Sequence, residues 1–548
     1  MPRRRTSVLQ GSCPGRPVSL AVVLRRLIVA DAVRDPSGRE GDAVLVTGGR
    51  ITAVGRSGDL RSVDLVEERF PGATIVPGLR DAHLHPVGLA ALLQRPSLKK
   101  AADFDEIASI LAAAERSLPP GAALTALRLD DESLAERHLP DRHLLDRVST
   151  TRPILVIRYC GHVAVANTAA LALCGIERGT PDPTGGTIDR DAAGDPTGVL
   201  RETAIEPASE VLRPLSAPVT PEHLIATAHG LAAVGLTGVG AMVAAGGGQW
   251  GGGGSELDVV VAAAPRLPIT FGVMVIADDP TELESAAARL AAAGGKVRFT
   301  GVKMFSDGSL GGHTAAMHDG FSDAPGERGT DRLVPGASLA MARSALRLGG
   351  RVAIHAIGDR ANGSVLDLME TLIGEGEDPS RLRIEHASVL TTADIARFGR
   401  LGVTASVQPA FLASETTWLE KRVGPERMKR TYPLRSLLAA GTPLAGGSDC
   451  PVEPPHPLWG MAASRDRCGL VPAEGLSADD ALALFTSGSA AAIGEVAALA
   501  PGNAATLTIL GGDPITATPD ELRRMKVLEV WVDGEEVVVP EGTVVWRE

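Results

Sequence analysis

Aromatic residues are scarce: they make up 3% of this 548-residue chain, and only two are tyrosine. A platform of stacked rings for nucleobases is therefore not on offer. Positive charge is also in the minority. The 54 Lys and Arg against 66 Asp and Glu leave a net charge of -12, which argues against nucleic acid and anionic membrane as partners. The five cysteines, Cys13, Cys160, Cys174, Cys450 and Cys468, are odd in number and scattered. That excludes a disulfide framework and a C-x-x-C metal site, and it fits a reducing cytoplasm. No unbroken apolar run reaches the length of a membrane span. The basic start Met1–Arg5 is not followed by a signal-peptide core, because the apolar stretch 19–24 runs straight into Arg25 and Arg26. Residues 1–21 read as a disordered tail.

What is present is an ordinary globular composition, 44% hydrophobic and 22% charged, in a chain too long for one core. Near the start, 27–30, 42–47 and 51–54 are short strand-like runs, with a hairpin turn at 48–50. The same style returns at 505–510, 527–532 and 536–539. One small β-sandwich domain built from both ends, 22–76 and 495–548, is the expectation. Between them, 77–494 alternates strands with helices. Strands are expected at 236–243, 269–276, 299–305, 352–357, 382–386, 403–408 and 443–449, and helices at 280–293, 338–348, 362–373 and 392–401. Such alternation implies a parallel sheet with crossover helices. With a first strand ending near His83, the count is that of a closed (β/α)8 barrel of the TIM type. The interval after that strand is too long for one β-α unit and reads as an insertion, about 95–225, over the barrel's active face. The run GGGQWGGGG at 246–254 reads as a mobile loop, either a lid or a plain solvated connection.

Polar residues stand where the apolar strands end. The stretch VPGLRDAHLHP (76–86) opens on a buried-strand run, 73–76, and closes on His83 and His85. Residues i and i+2 of an extended strand share a face, so these imidazoles can hold one metal ion together. Lys303, His355, His386 and Asp449 fall on strands four, five, six and eight counted from that pair. Singly, each has a mundane reading: a half-buried histidine, a snorkelling lysine, a capping aspartate. Together, converging on one barrel mouth, they form a dinuclear metal set.

With VPGLRDAHLHP, the motifs GHVAVANTAAL (161–171), PDPTGGTIDRDAAGDPTGVLRE (181–202), VKMFSDGSLGGHTAAM (302–317), AIHAIGDRAN (353–362), RIEHAS (383–388), SVQPAF (406–411) and GGSDCPVEPPHPLWGM (446–461) complete a pattern. It resembles the amidohydrolase superfamily, and within it the branch of large bacterial amidohydrolases that includes N-substituted formamide deformylase. The resemblance implies a metal-dependent hydrolase that cleaves a non-peptide carbon–nitrogen bond, amide or formamide-like, with metal-activated water. It implies one or two divalent ions, zinc first. His83, His85 and Asp449 would hold the more buried ion and His355 and His386 the second. Lys303 would stand where related enzymes bridge two metals with a carboxylated lysine. Asp449 would move the proton, with His162 of the insertion as a second catalytic group, and Asp307 and His313 would line the substrate pocket. His313 is itself a departure, since many relatives are expected to carry arginine there.

A deaminase of an aminated ring is the alternative on the same fold. Related deaminases commonly carry Glu three residues after the strand-five histidine, and this chain has Gly358. A non-catalytic metal-binding or assembly protein is the alternative of a different class. The expected partners are a small-molecule substrate and, at most, a second copy of the chain.

Overall fold

The computed structural model describes residues 25–131, 133–158, 163–183, 186–246, 254–544 and 546. The calls on residues 1–21, on His162 and on most of the glycine-rich loop therefore lie outside the described residues.

Eight parallel strands form the body: β1 (Leu79–Leu84), β2 (Leu236–Ala244), β3 (Thr270–Ile276), β4 (Val297–Phe305), β5 (Arg351–Ala356), β6 (Leu382–His386), β7 (Thr404–Val407) and β8 (Leu444–Gly446). Each pairs with the next in chain order, with register shifts between β1 and β2 and between β3 and β4. The ring closes through a parallel bridge between Leu84 and Cys450, flanked by Asp449 N–H donating to His83 O and His85 N–H donating to Cys450 O, both 2.7 Å. Every residue of β2 is buried, which is why a parallel barrel strand reads as a continuous apolar run rather than an alternating one. The crossover helices carry legible ends. In Pro280–Ala293 the Asp279 carboxylate caps the N–H groups of Thr281 and Glu282, proline occupies the first turn, and Gly294 follows at φ 66°.

The two ends of the chain share a seven-stranded sheet. Its order is Glu535–Glu536, Val527–Val532, Leu507–Leu510, Val66–Pro77, Arg25–Arg34, Glu40–Thr47, Arg50–Gly55. Register breaks within 25–34 bend the sheet. Ile28, Val44 and Ile51 from one half then pack in one core with Leu507, Ile509 and Trp531 from the other.

Two local readings change. The apolar run 73–76 does not lead into the histidines as one strand. It ends Val66–Pro77 in the terminal sheet, and β1 begins only after Gly78, where a Cβ would collide with the Thr237 side chain at 2.4 Å. At the other end only Glu535 and Glu536 pair as a strand, and Val537 adds one hydrogen bond to Val530 O before Pro540. The Gly-, Pro- and Asp-rich stretch 179–198 contains strand Gly186–Arg190 and the start of its antiparallel partner Pro196–Glu202. These join Leu124–Leu129, Ile154–Arg158 and Val163–Ala166 in a separate five-stranded sheet within the expected insertion.

Candidate metal centre

The C-terminal strand ends bring together most of the residues singled out in the sequence. His83 comes from the end of β1, and His85 caps the helix Pro86–Gln94 just beyond it. Asp449 follows β8 after Gly446 and Gly447. A Cβ at Gly447 would stand 2.9 Å from His83 N, so only glycine lets this segment come so near. Asp449 Oδ1 lies 3.2 Å from both His83 Nε2 and His85 Nε2. Nitrogen and oxygen ligand atoms of His83, His386 and Asp449 all fall within 4.8 Å of one another.

Two of these residues hold unusual backbone. His386 has φ 72° and Asp449 φ 56°, a left-handed region that non-glycine residues avoid and that clusters at functional sites. The reversal at His386 ends β6. Arg383 and Glu385 share one face of that strand by its two-residue period, and His386 is its last residue, where the chain turns.

The rings are held from behind. Fully buried His83 shares its Nδ1 proton with Glu385 Oε2 at 2.7 Å, and Glu385 Oε1 meets Arg383 Nε at 2.6 Å. Burial opposes ionisation of Glu385, but Arg383 and His83 overcome it and hold the carboxyl well below the usual range. His83 Nε2 is thereby left as the free lone pair of the ring. It is buried and has no hydrogen-bond partner among the described residues. His386 Nδ1 lies 2.8 Å from Gln408 Oε1, which fixes that ring the same way. Asp81 accepts from the N–H groups of His83 and Ser448, and burial raises its pKa to about 6. Glu385, Arg383, Gln408 and Asp81 were not among the expected site residues. All four stand inside the motifs quoted above, and the signal that could have found them is a charged or amide residue on the buried face of an apolar strand.

Burial lowers the pKa of His386 far below its ordinary value and lowers that of His85. Burial acts on His83 in the same direction, but Glu385 and Asp449 raise it on balance. Burial alone would lift the Asp449 carboxyl, yet His83, His85 and His386 hold it well below the carboxylate range. Lys303 is 2% exposed, and burial brings its pKa down to about 8 against the pull of Glu385 and Asp449. Its Nζ stands 4.2 Å from the Phe305 ring centroid. The His355 ring lies 4.4 Å from that of His386, with Nε2 donating to Gly308 O at 2.8 Å.

Asp307 accepts from the backbone N–H groups of Ala316, Ile357 and Gly358 and stands 3.2 Å from His355 Nε2. His313 lies 3.2 Å from Asp323, which also receives Arg422.

Beyond β7, Phe411 stacks on His386 at 6.0 Å, and Glu415 of the same short helix accepts from Tyr432 Oη at 2.8 Å. Burial raises the Glu415 pKa from an ordinary 4.5 to about 7. A carboxyl with a raised folded pKa favours folding below its unfolded value, and that contribution fades as pH climbs from about 4.5 to about 7. Glu415→Gln removes the term. The variant's melting temperature, measured against wild type, should therefore rise between pH 5 and pH 8. The shift is worth at most about 3 kcal/mol, and less for a half-buried group. An identical difference at both pH values would refute it.

A family model described as amidohydrolase family matches residues 71–538. The chain is 31% identical over 546 residues to an N-substituted formamide deformylase of Arthrobacter pascens, covering 93% of this chain and 98% of that protein. It is 30% identical over 520 residues to the protein LONG AFTER FAR-RED 3 of Arabidopsis thaliana, covering 90% and 88%. Among solved structures it is similar to an uncharacterized metal-dependent hydrolase from Pyrococcus furiosus, with a TM-score of 0.71, 26% identity, and coverage of 90% and 100%.

Proposed function

Because the chain belongs to the amidohydrolase family, we propose that it is a metal-dependent hydrolase of a non-peptide carbon–nitrogen bond, amide or formamide-like. The observation that carries this reading is the convergence of His83 Nε2, His85 Nε2 and Asp449 Oδ1, with His83 tied back through Nδ1 to Glu385. A histidine whose second nitrogen donates to a carboxylate is oriented as metal ligands are. The buried, unpartnered Nε2 of His83 is the atom a divalent cation would satisfy. His83, His85 and Asp449 would hold one ion, and His386 and His355 a second.

When bound, the metal would acidify water and polarise the substrate carbonyl. The protein's own part is proton traffic and positioning. The Asp449 carboxylate, one oxygen of which faces His83 and His85, accepts the proton of the attacking water and delivers it to the leaving nitrogen. Glu385 and Gln408 keep the rings of His83 and His386 in one tautomer. Asp307, with its oxygens committed to backbone N–H groups, positions the loop beside His355 rather than touching substrate.

Lys303, as an ammonium, has only donors and cannot ligate a cation. Its lowered pKa leaves a large neutral fraction near pH 8, and the neutral amine is the form that reacts with carbon dioxide to give a carbamate. We read it as the bridging group in that form. Lys303→Ala is expected to lose activity and to recover part of it with added short carboxylic acids. A fully active alanine variant overturns the bridge.

The geometry disfavours the ring deaminase. At Gly358, where an acid would be required, a Cβ would lie 2.0 Å from Ala316 O, so no side chain fits. The test of the whole reading is metal content and hydrolysis on the same sample, assayed on a panel of acyclic amides and N-substituted formamides. Chelator-sensitive turnover on the panel supports it. A fully metal-loaded protein silent on the panel would point to a non-catalytic role.

A further inference from the structure

At the opposite end of the barrel a cavity lies between the N-terminal strand ends and the terminal sheet. Its volume is about 450 Å³, within the range of small-molecule sites. Arg80 of β1, Lys296 and Arg298 at the start of β4, and Arg50 of the terminal sheet line it, against two carboxylates, Glu495 and Asp533. Four cations less two anions leave two positive charges, in a chain whose net charge is -12.

The anions present do not use up the cations. Glu495 is saturated: Oε2 accepts from Arg80 Nε at 2.5 Å, and Oε1 accepts from Thr270 Oγ1 at 2.9 Å and from Arg298. Lys296 gives one hydrogen to Pro268 O at 2.9 Å, and Arg50 gives one to Gly502 O at 2.8 Å. Among the described residues, two ammonium hydrogens and most of the Arg50 fork have no protein acceptor and face the solvent-open cavity. Immediately behind the wall, a Cβ at Gly494 would stand 2.5 Å from Arg351 Nη1, and Arg351 Nε is buried without a hydrogen-bond partner among the described residues. Such donor-rich, basic concavities suit a planar or tetrahedral oxyanion.

We propose that this cavity binds a small phosphate group, free or carried on a small metabolite, which joins the barrel to the terminal sheet. The site is independent of the metal centre, since its lining comes from the N-terminal strand ends while the histidines stand at the C-terminal ends.

The experiment is calorimetric titration of the metal-loaded protein with inorganic phosphate and, separately, with adenosine monophosphate, at ionic strength matched with sodium chloride. The comparison proteins are Lys296→Glu and the double variant Lys296→Ala/Arg298→Ala. Saturable phosphate binding to wild type, weakened at least about tenfold in Lys296→Glu with metal content and basal turnover unchanged, is expected. The single variant keeps the proposal testable should the double variant fail to fold, because Lys296 anchors only to one backbone carbonyl. Adenosine monophosphate binding about tenfold tighter than phosphate assigns the group to an organic carrier, and equal affinity assigns it to free phosphate. Equal binding by wild type and Lys296→Glu, or none by wild type, overturns the proposal. The first of these would place the anion at the metal centre or at an adventitious site.

Discussion

Asp449→Asn should keep much of its metal and lose almost all of its turnover. Asparagine has the size of aspartate, retains one acceptor oxygen where His83 and His85 converge, and is among the few residues that tolerate the φ of 56° held here. It cannot take a proton. General acid–base groups contribute about a hundred- to ten-thousand-fold, which is roughly 3 to 5 kcal/mol of barrier. The measurement is turnover per bound metal on any amide the wild type cleaves. A loss smaller than about tenfold would mean that another group moves the proton, and His162 would be the next residue to change.

His83→Ala should strip the metal and bring turnover below detection while the barrel still folds. The reason is visible behind the ring. When the imidazole is removed, Glu385 remains paired with Arg383 at 2.6 Å, so no buried charge is orphaned. Glu385→Gln makes the opposite trade. His83 stays, but its orienting carboxylate is gone, at a cost of about ten- to a hundredfold in metal affinity. Arg383, 2% exposed, loses its counter-charge, a loss that destabilises by about 3–5 kcal/mol in buried pairs. The two variants should therefore separate on a plot of metal content against melting temperature: His83→Ala poor in metal and stable, Glu385→Gln partly loaded and unstable. Normal metal and activity in His83→Ala would sink the assignment.

Much of this was readable in the chain. Parallel barrel strands are buried on both faces, so a lone histidine, lysine or aspartate at the end of an apolar run stands out, as Lys303 does in β4 and His355 in β5. Chain order then placed them around the ring. What a single sequence hides is which polar residues meet once the ring closes. Glu385 is 302 residues from His83, and nothing in the text of either motif pairs them. The boundary at Gly78 was hidden for a related reason. Two strands of different sheets follow each other with one residue between, and both are apolar where they meet. The hairpin at 186–202 was obscured by a Gly-, Pro- and Asp-rich composition that resembles a loop.

The way the ring closes has a consequence for how the protein breathes. β8 is three residues long, and the seam to β1 is completed by the backbone of the residues whose side chains gather at the centre: Asp449 N–H to His83 O and His85 N–H to Cys450 O. A ligand that grips His83, His85 and Asp449 therefore also clamps the two edges of the barrel together, and removing it frees the least-braced joint of the ring. In hydrogen–deuterium exchange, chelation should accelerate the amides of His85 and Asp449, while those deep in β2 stay as slow as before. Those two amides would then report occupancy of the centre without any need for a substrate.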